Sequence, residues 1–168
     1  MYVSINYEVL MFREMRRAKQ QLGKDECVEI LLKEWRGILS VYGEDGYPYG
    51  LPMNFYYDEE SEKLYFHSAM KGHKIDALMR DNRVSFCVYD KGFRKEGDWA
   101  LNIKSVIIFG KIKFVEDESL REEIMRKFGL KFDPDPQNVE DTIKRMLRVT
   151  KVMELSIDHM TGKLCNES

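Results

Sequence analysis

Two polar turns, Glu44-Asp45-Gly46 and residues 58–62 (DEESE), interrupt a series of short alternating segments. Connections this short join only antiparallel neighbours, because a parallel pair needs a crossover of a dozen or more residues. From residue 38 onward the chain is therefore committed to an antiparallel meander. Residues 38–42 make the first strand, 47–57 the return strand and 63–68 (KLYFHS) the third. Gly46 can take the positive φ of a hairpin turn. Pro48 and Pro52 cannot donate to a ladder, which places the return strand at an edge or bulges it. In the third strand, Leu64 and Phe66 share one face and Tyr65 and His67 the other. Residues 84–89 (VSFCVY), 103–115 and 149–158 add three strands, with Gly110 as a bend or bulge. Six such strands close most naturally into a small barrel, which removes exposed edges.

Helices are expected over residues 25–35, 74–80, 117–128 and 139–147. The first is capped by Asp25 and followed by Gly37, and the second is opened by Gly72. Asp133-Pro134-Asp135-Pro136 separates the last two. A dinucleotide-binding fold would need alternating strands and helices with GxGxxG after a strand, and neither is present. Trp35 reads as core and Cys87 as a buried, inert thiol. Trp99, after the charged loop 91–98, reads as an interface or ligand wall. Residues 1–168 read as one domain, with 1–20 an arm that packs on the body or on a partner subunit.

Composition excludes several functions. The 27 Lys and Arg are balanced by 29 Asp and Glu, a net charge of −2, against the basic excess of a nucleic-acid binder. No apolar run approaches the ~20 residues of a membrane span. Cys27, Cys87 and Cys165 form no CxxC pair, and His67, His73 and His159 no HExxH pattern, so no metal is expected. Reduced thiols point to a cytoplasmic protein.

The chemistry-bearing stretch is residues 65–74 (YFHSAMKGHK). A strand ends on the Ser68 hydroxyl, Gly72 permits close backbone approach, and Lys74 falls in the first turn of a helix. Free N–H groups and a lysine at a helix start favour an anion. Two readings stand on these residues: a phosphate site, or an ordinary strand-to-helix connection with a solvated lysine. His67 can likewise be a proton donor beside a ligand or a hydrogen-bonded barrel histidine.

Several phrases in order resemble the FMN-binding split-barrel superfamily, of which pyridoxamine 5′-phosphate oxidase is the best-known member. They are residues 46–54 (GYPYGLPMN), 64–69 (LYFHSA) with 72–76 (GHKID), 82–86 (NRVSF), 105–110 (SVIIFG) and 158–163 (DHMTGK). Within it the chain is most similar to the 5-nitroimidazole-resistance proteins and their flavin-nucleotide-binding relatives. The resemblance implies a mainly β fold, a six-stranded antiparallel split β-barrel with flanking helices, and a homodimer with FMN at the subunit interface. It implies that Ser68, His73 and Lys74, after Gly72, hold the FMN phosphate. Met53 and Asn54 would line the isoalloxazine ring, with backbone near Phe66 and His67, and Trp99, Ser105 and Val106 would reach it from the partner chain. His67 matches a histidine proposed as functional in the resistance group and is the candidate catalytic residue. The implied activity is an FMN-dependent oxidoreductase passing electrons from a small-molecule donor to a small acceptor, nitroaromatics among the candidates. Alternatives are a non-enzymatic FMN-binding or sensing module, or a split barrel that takes haem or a deazaflavin. Residues 161–168 (TGKLCNES) hold no arginine, unlike the C-terminal motif of the true oxidases.

Overall fold

The computed structural model describes residues 12–165. In chain order the elements are β1 (Gln21–Leu22), α1 (Lys24–Lys33), β2 (Arg36–Tyr42), β3 (Pro48–Asn54), β4 (Tyr56–Asp58), β5 (Lys63–Ala69), α2 (His73–Arg80), β6 (Arg83–Tyr89), β7 (Ile103–Phe114), α3 (Glu118–Phe132), α4 (Pro136–Met146) and β8 (Thr150–Cys165). The strands form one antiparallel sheet in the order β3-β2-β6-β7-β8-β5-β4, with β1 added on β8. It curls into the expected split barrel, mainly β with flanking helices.

Alternation along the strands builds the interior. Leu39 and Val41 of β2, Phe86 and Val88 of β6, Val106 and Ile108 of β7 and Phe66 of β5 point inward and are buried. The Phe86 ring meets Phe55 and Phe66 edge-on, with centroids 5.1 and 5.0 Å away, the geometry that aromatic quadrupoles favour. Gly110 sits where the β7–β8 register shifts, and a Cβ there would lie 2.1 Å from the Ser156 carbonyl oxygen. Only glycine permits that approach, so the expected bulge is present. Gly46 has φ +80° in the β2–β3 turn, as its hairpin position requires.

The barrel is open along one seam. β3 pairs only with β2, which suits Pro48 and Pro52 at an edge. β4 pairs with Lys63, Leu64 and Tyr65 of β5, so Phe66–Ala69 pair with β8 alone. The free edges of β3 and of the second half of β5 flank the seam, and α2 lies there.

Several expectations are corrected. The sheet has eight strands rather than six, because β1 and the short β4 are added. The expected 47–57 strand breaks at Phe55, whose fully buried ring turns into the core while its N–H bonds the Trp35 carbonyl at 3.3 Å. The closing strand runs on to Cys165 rather than stopping at 158. The first helix is Lys24–Lys33 with Gly23 at its cap, and Asp25 lies inside its first turn. Trp35 falls outside that helix, is 57% exposed and rests edge-on against Phe132, so it is not core. Cys87 is half-buried on the outer sheet face rather than buried. α3 continues to Phe132 and α4 begins at Pro136. Residues 1–11 of the expected arm lie outside the described residues. Phe12 stacks on His159, with centroids 4.5 Å apart.

Candidate active site

The seam is shaped by contacts between β3 and the start of α2. Inward-facing Tyr49 stacks flat on His73, with centroids 4.3 Å apart and 2° between planes. Inward-facing Met53 places its Sδ 3.6 Å from Lys74 Nζ. An ion pair between Arg80 and Glu44 at 2.7 Å ties the far end of α2 to the β2–β3 turn. These contacts hold the first turn of α2 beside the end of β5. The resulting cavity, about 540 Å³, is lined by Tyr49, Leu51, His67–Ala69, Lys71–Lys74, Met146, Val149 and Thr150.

Its electrostatics are one-sided. The lining holds two lysines, two histidines and the Ser68 hydroxyl, and no carboxylate. Gly72, with φ +132°, starts α2 without a side-chain cap. The first backbone N–H groups of a helix have no intrahelical partner, so the start of α2 presents donors and positive potential. Burial pushes the Lys74 pKa down, and among the described residues no carboxylate pairs with it. The His67 imidazole is pushed below its usual pKa, first by desolvation and then by the nearby Lys74 charge. A cation-lined concavity of this kind selects a phosphate or another compact anion.

His67 lies on the β5 face opposite Phe66, as expected, and looks away from the barrel interior. Its ring meets Phe128 of α3 edge-on at 4.8 Å. Besides lining the anion cavity, it lines an apolar cavity of about 290 Å³ under α3 and α4.

The structure brings His67, Ser68, Gly72, His73 and Lys74 together, with Met53 touching Lys74. Asn54, the residue after Met53, falls on the opposite strand face, where its Oδ1 accepts from Arg36 Nε at 2.7 Å, and it lines the apolar cavity. Alternation thus keeps these two side chains from facing one ring together. The Phe66 and Val106 side chains are fully buried, so only their backbones could meet a ligand. Trp99 is 69% exposed on its loop, and neither it nor Ser105 borders the anion cavity of its own chain. Tyr49, Leu51, Lys71 and Thr150 were not anticipated as site residues. The same alternation that placed Met53 inward applies to Tyr49 and Leu51. Thr150 carries no local signal, since it reaches the cavity through the α4–β8 junction. Among the described residues no group of three His, Cys, Asp or Glu could hold a metal ion, and no helix is long and apolar enough to cross a membrane.

Comparison with known proteins bears on the family and the fold. No curated protein matches the sequence. A solved structure of a candidate 5-nitroimidazole antibiotic resistance protein from Bacteroides thetaiotaomicron is similar, with TM-score 0.72, 25% identity and 87% of each chain covered. A conserved hypothetical protein from Mycobacterium tuberculosis has the same fold, with TM-score 0.76, 17% identity and coverage of 89% of this chain and 90% of that one. So does an FAD binding protein from Mycobacterium smegmatis, with TM-score 0.64, 19% identity and coverage of 88% and 99%. Residues 23–164, which hold all four α-helices and β2 to nearly the end of β8, match the family model described as pyridoxamine 5′-phosphate oxidase, and the chain belongs to that family.

Proposed function

We propose that the protein binds FMN with its phosphate in the Ser68–Lys74 cradle and acts as an oxidoreductase. It would take electrons from a reduced small-molecule donor and deliver them to a small acceptor, with nitroaromatics as candidates. The observation that carries this is Lys74, a half-buried cation at an uncapped helix start with no carboxylate to answer it. A phosphate would supply the missing charge, held by the Ser68 hydroxyl, His73 and the α2 backbone N–H groups. The cradle fits the group, since an acid in the lining would repel it and there is none. Met53 and Leu51, on the strand across from the cradle, would flank the ring. FMN when bound supplies the redox chemistry, and the protein binds it, orients it and excludes water. The His67 imidazole can hold a proton at a ring nitrogen beside the flavin and its small-molecule partner. Family membership and the likeness to the Bacteroides protein support this reading.

The proposal includes a homodimer that works in the cytoplasm. The outer face of β2, β6 and β7 carries Ile38, Ser40, Ser85, Cys87, Ser105, Ile107 and Phe109, all uncharged, and a second copy would pack there beside the Phe12 ring that stacks on Phe109. Pairing there would bring Ser105 of each chain toward its partner.

The test is the visible spectrum of the purified protein before and after adding FMN and desalting. Retained flavin bands near ~375 and ~450 nm are expected. Lys74→Ala should weaken FMN by roughly 1.5–3 kcal/mol, or about 10–150-fold in Kd. A protein that takes up no FMN, or a variant with unchanged affinity, would reject the cradle assignment.

A further inference from the structure

The apolar cavity between β5 and the α3–α4 hairpin is not needed to hold a phosphate, yet it is a built feature. One wall is the Phe128–Phe132 pair, stacked at 5.2 Å with 19° between planes, and the other is Val139 and Ile143 of α4. The hairpin above it is pinned on several sides. Arg126 of α3 is bonded to both Glu122 and Glu140. Arg121 donates to the carbonyls of Leu147 and Thr150 at 2.6 and 2.7 Å. Lys131 donates to the Glu34 and Phe55 carbonyls at 2.6 and 3.1 Å. These bonds, with Val139 packed on Gly129 where the helices cross, fix the hairpin relative to the sheet, so the space beside the crossing keeps its shape, as ligand sites usually do.

The lining carries few polar groups and one formal charge, the Asp133 carboxylate at the rim; no lysine or arginine contributes. His67 faces in, and among the described residues its ring nitrogens make no hydrogen bond. His67, Met146 and Thr150 border both this cavity and the anion cradle, so the two spaces meet at the imidazole.

We infer that this cavity is a second ligand site, which binds a small uncharged aromatic molecule between the phenylalanine pair and α4 with a ring heteroatom hydrogen-bonded to His67. The stacked phenylalanines suit a flat ring, the two methionines of the lining adapt to its outline, and the carboxylate with no balancing cation disfavours an anion. Binding here does not depend on the flavin reading. The place of the ligand as the small-molecule partner of a bound flavin does rest on it.

The experiment uses 6-fluoroquinoline as the neutral probe and 6-fluoroquinoline-2-carboxylate as its anionic counterpart, followed by fluorine NMR on the full chain with and without FMN. Saturable binding of quinoline, at least tenfold weaker binding of the carboxylate, and quinoline binding that survives saturating FMN are expected. Thr142→Trp places a large ring into the cavity from an exposed position on α4 and should weaken quinoline at least tenfold. His67→Ala, on the opposite wall, should weaken it severalfold while circular dichroism stays unchanged. No saturable binding to the wild type, or affinity unchanged in both variants, overturns the inference. Displacement of quinoline by FMN also overturns it, because the cavity then belongs to the flavin. Failure of FMN to bind while quinoline does would reject the flavin reading alone.

Discussion

Lys74 is a half-buried charge and Glu154 a buried one, and they differ in what answers them. The Glu154 carboxylate is 3% exposed and accepts from Lys63 at 2.8 Å, with Lys113 at 3.1 Å and the Tyr65 hydroxyl at 3.2 Å. Burial pushes its pKa up, and the bonds from the two lysines more than offset this, leaving it below the usual carboxylate range. A depressed carboxylate contributes stability above its unfolded pKa, near 4.5, and loses it as pH falls through the folded value. Glu154→Gln should therefore cost about 1–3 kcal/mol at pH 7, and the gap to wild type should shrink toward pH 3. Urea melts at the two pH values check this, and a constant gap would refute it. Lys74 has no such partner, which is why it reads as a binding group rather than a structural one. Its place at the cavity was legible in the linear chain because strand end, glycine and lysine are neighbours there. Glu154 was not, because its partners come from residues 63 and 113. At His67, replacement by Ala should leave FMN bound but slow turnover with a reduced nicotinamide and a nitroaromatic by about 10–100-fold. Unaltered turnover would reduce this histidine to a packing residue.

Helix α3 shows the same contrast one level up. Its start was legible, since the Asp117 carboxylate accepts from the Leu120 N–H at 2.7 Å as an N-cap should. Its end was not: the expected helix stops at residue 128, whereas it runs through Gly129 to Phe132. That glycine lies mid-helix because Val139 of α4 crosses there, 2.7 Å from where a Cβ would be. The strand meander was legible from turn length and alternation, whereas the β3–β4 break at Phe55 comes from tertiary packing. The last turn of α3 also carries Lys131, whose ammonium lies 4.2 Å over the Phe55 ring centre while it bonds carbonyls from α1's end and the β3–β4 break. Burial pushes its pKa down to about 8 from 10.5. Between those values the unfolded chain holds the proton and the folded one does not, so this group's contribution to stability rises with pH across that window. The stability difference between wild type and Lys131→Met should move by about 3 kcal/mol in favour of wild type from pH 8 to 10.5. Denaturant melts along that range test it, and a parallel pair of curves would mean that the ammonium is solvated.

At the scale of the molecule, the question is what the open sheet face is for. Natural sheets protect exposed apolar faces, and β7 leaves Ile107 and Phe109 39% and 40% exposed at the middle of the sheet. Ile107 is flanked across the ladders by Cys87 and Thr161, with no charge beside it. The charged residues on this face of β2, β6, β7 and the end of β8, namely Arg36, Arg83, Lys111, Lys113 and Lys163, sit toward the strand ends, the arrangement of an apolar interface core with a polar rim. A second copy on this face would also explain why Ser105 and Trp99 lie apart from the cradle of their own chain. Ile107→Glu tests the arrangement without touching the barrel interior, because the side chain points outward. Sedimentation should show wild type as a dimer and the variant as a folded monomer, with FMN affinity at least tenfold weaker if the site is shared. A variant that remains dimeric would move the interface elsewhere. A folded monomer with full FMN affinity would place the whole flavin site within one chain, leaving the cradle intact but removing any role for the partner's loop.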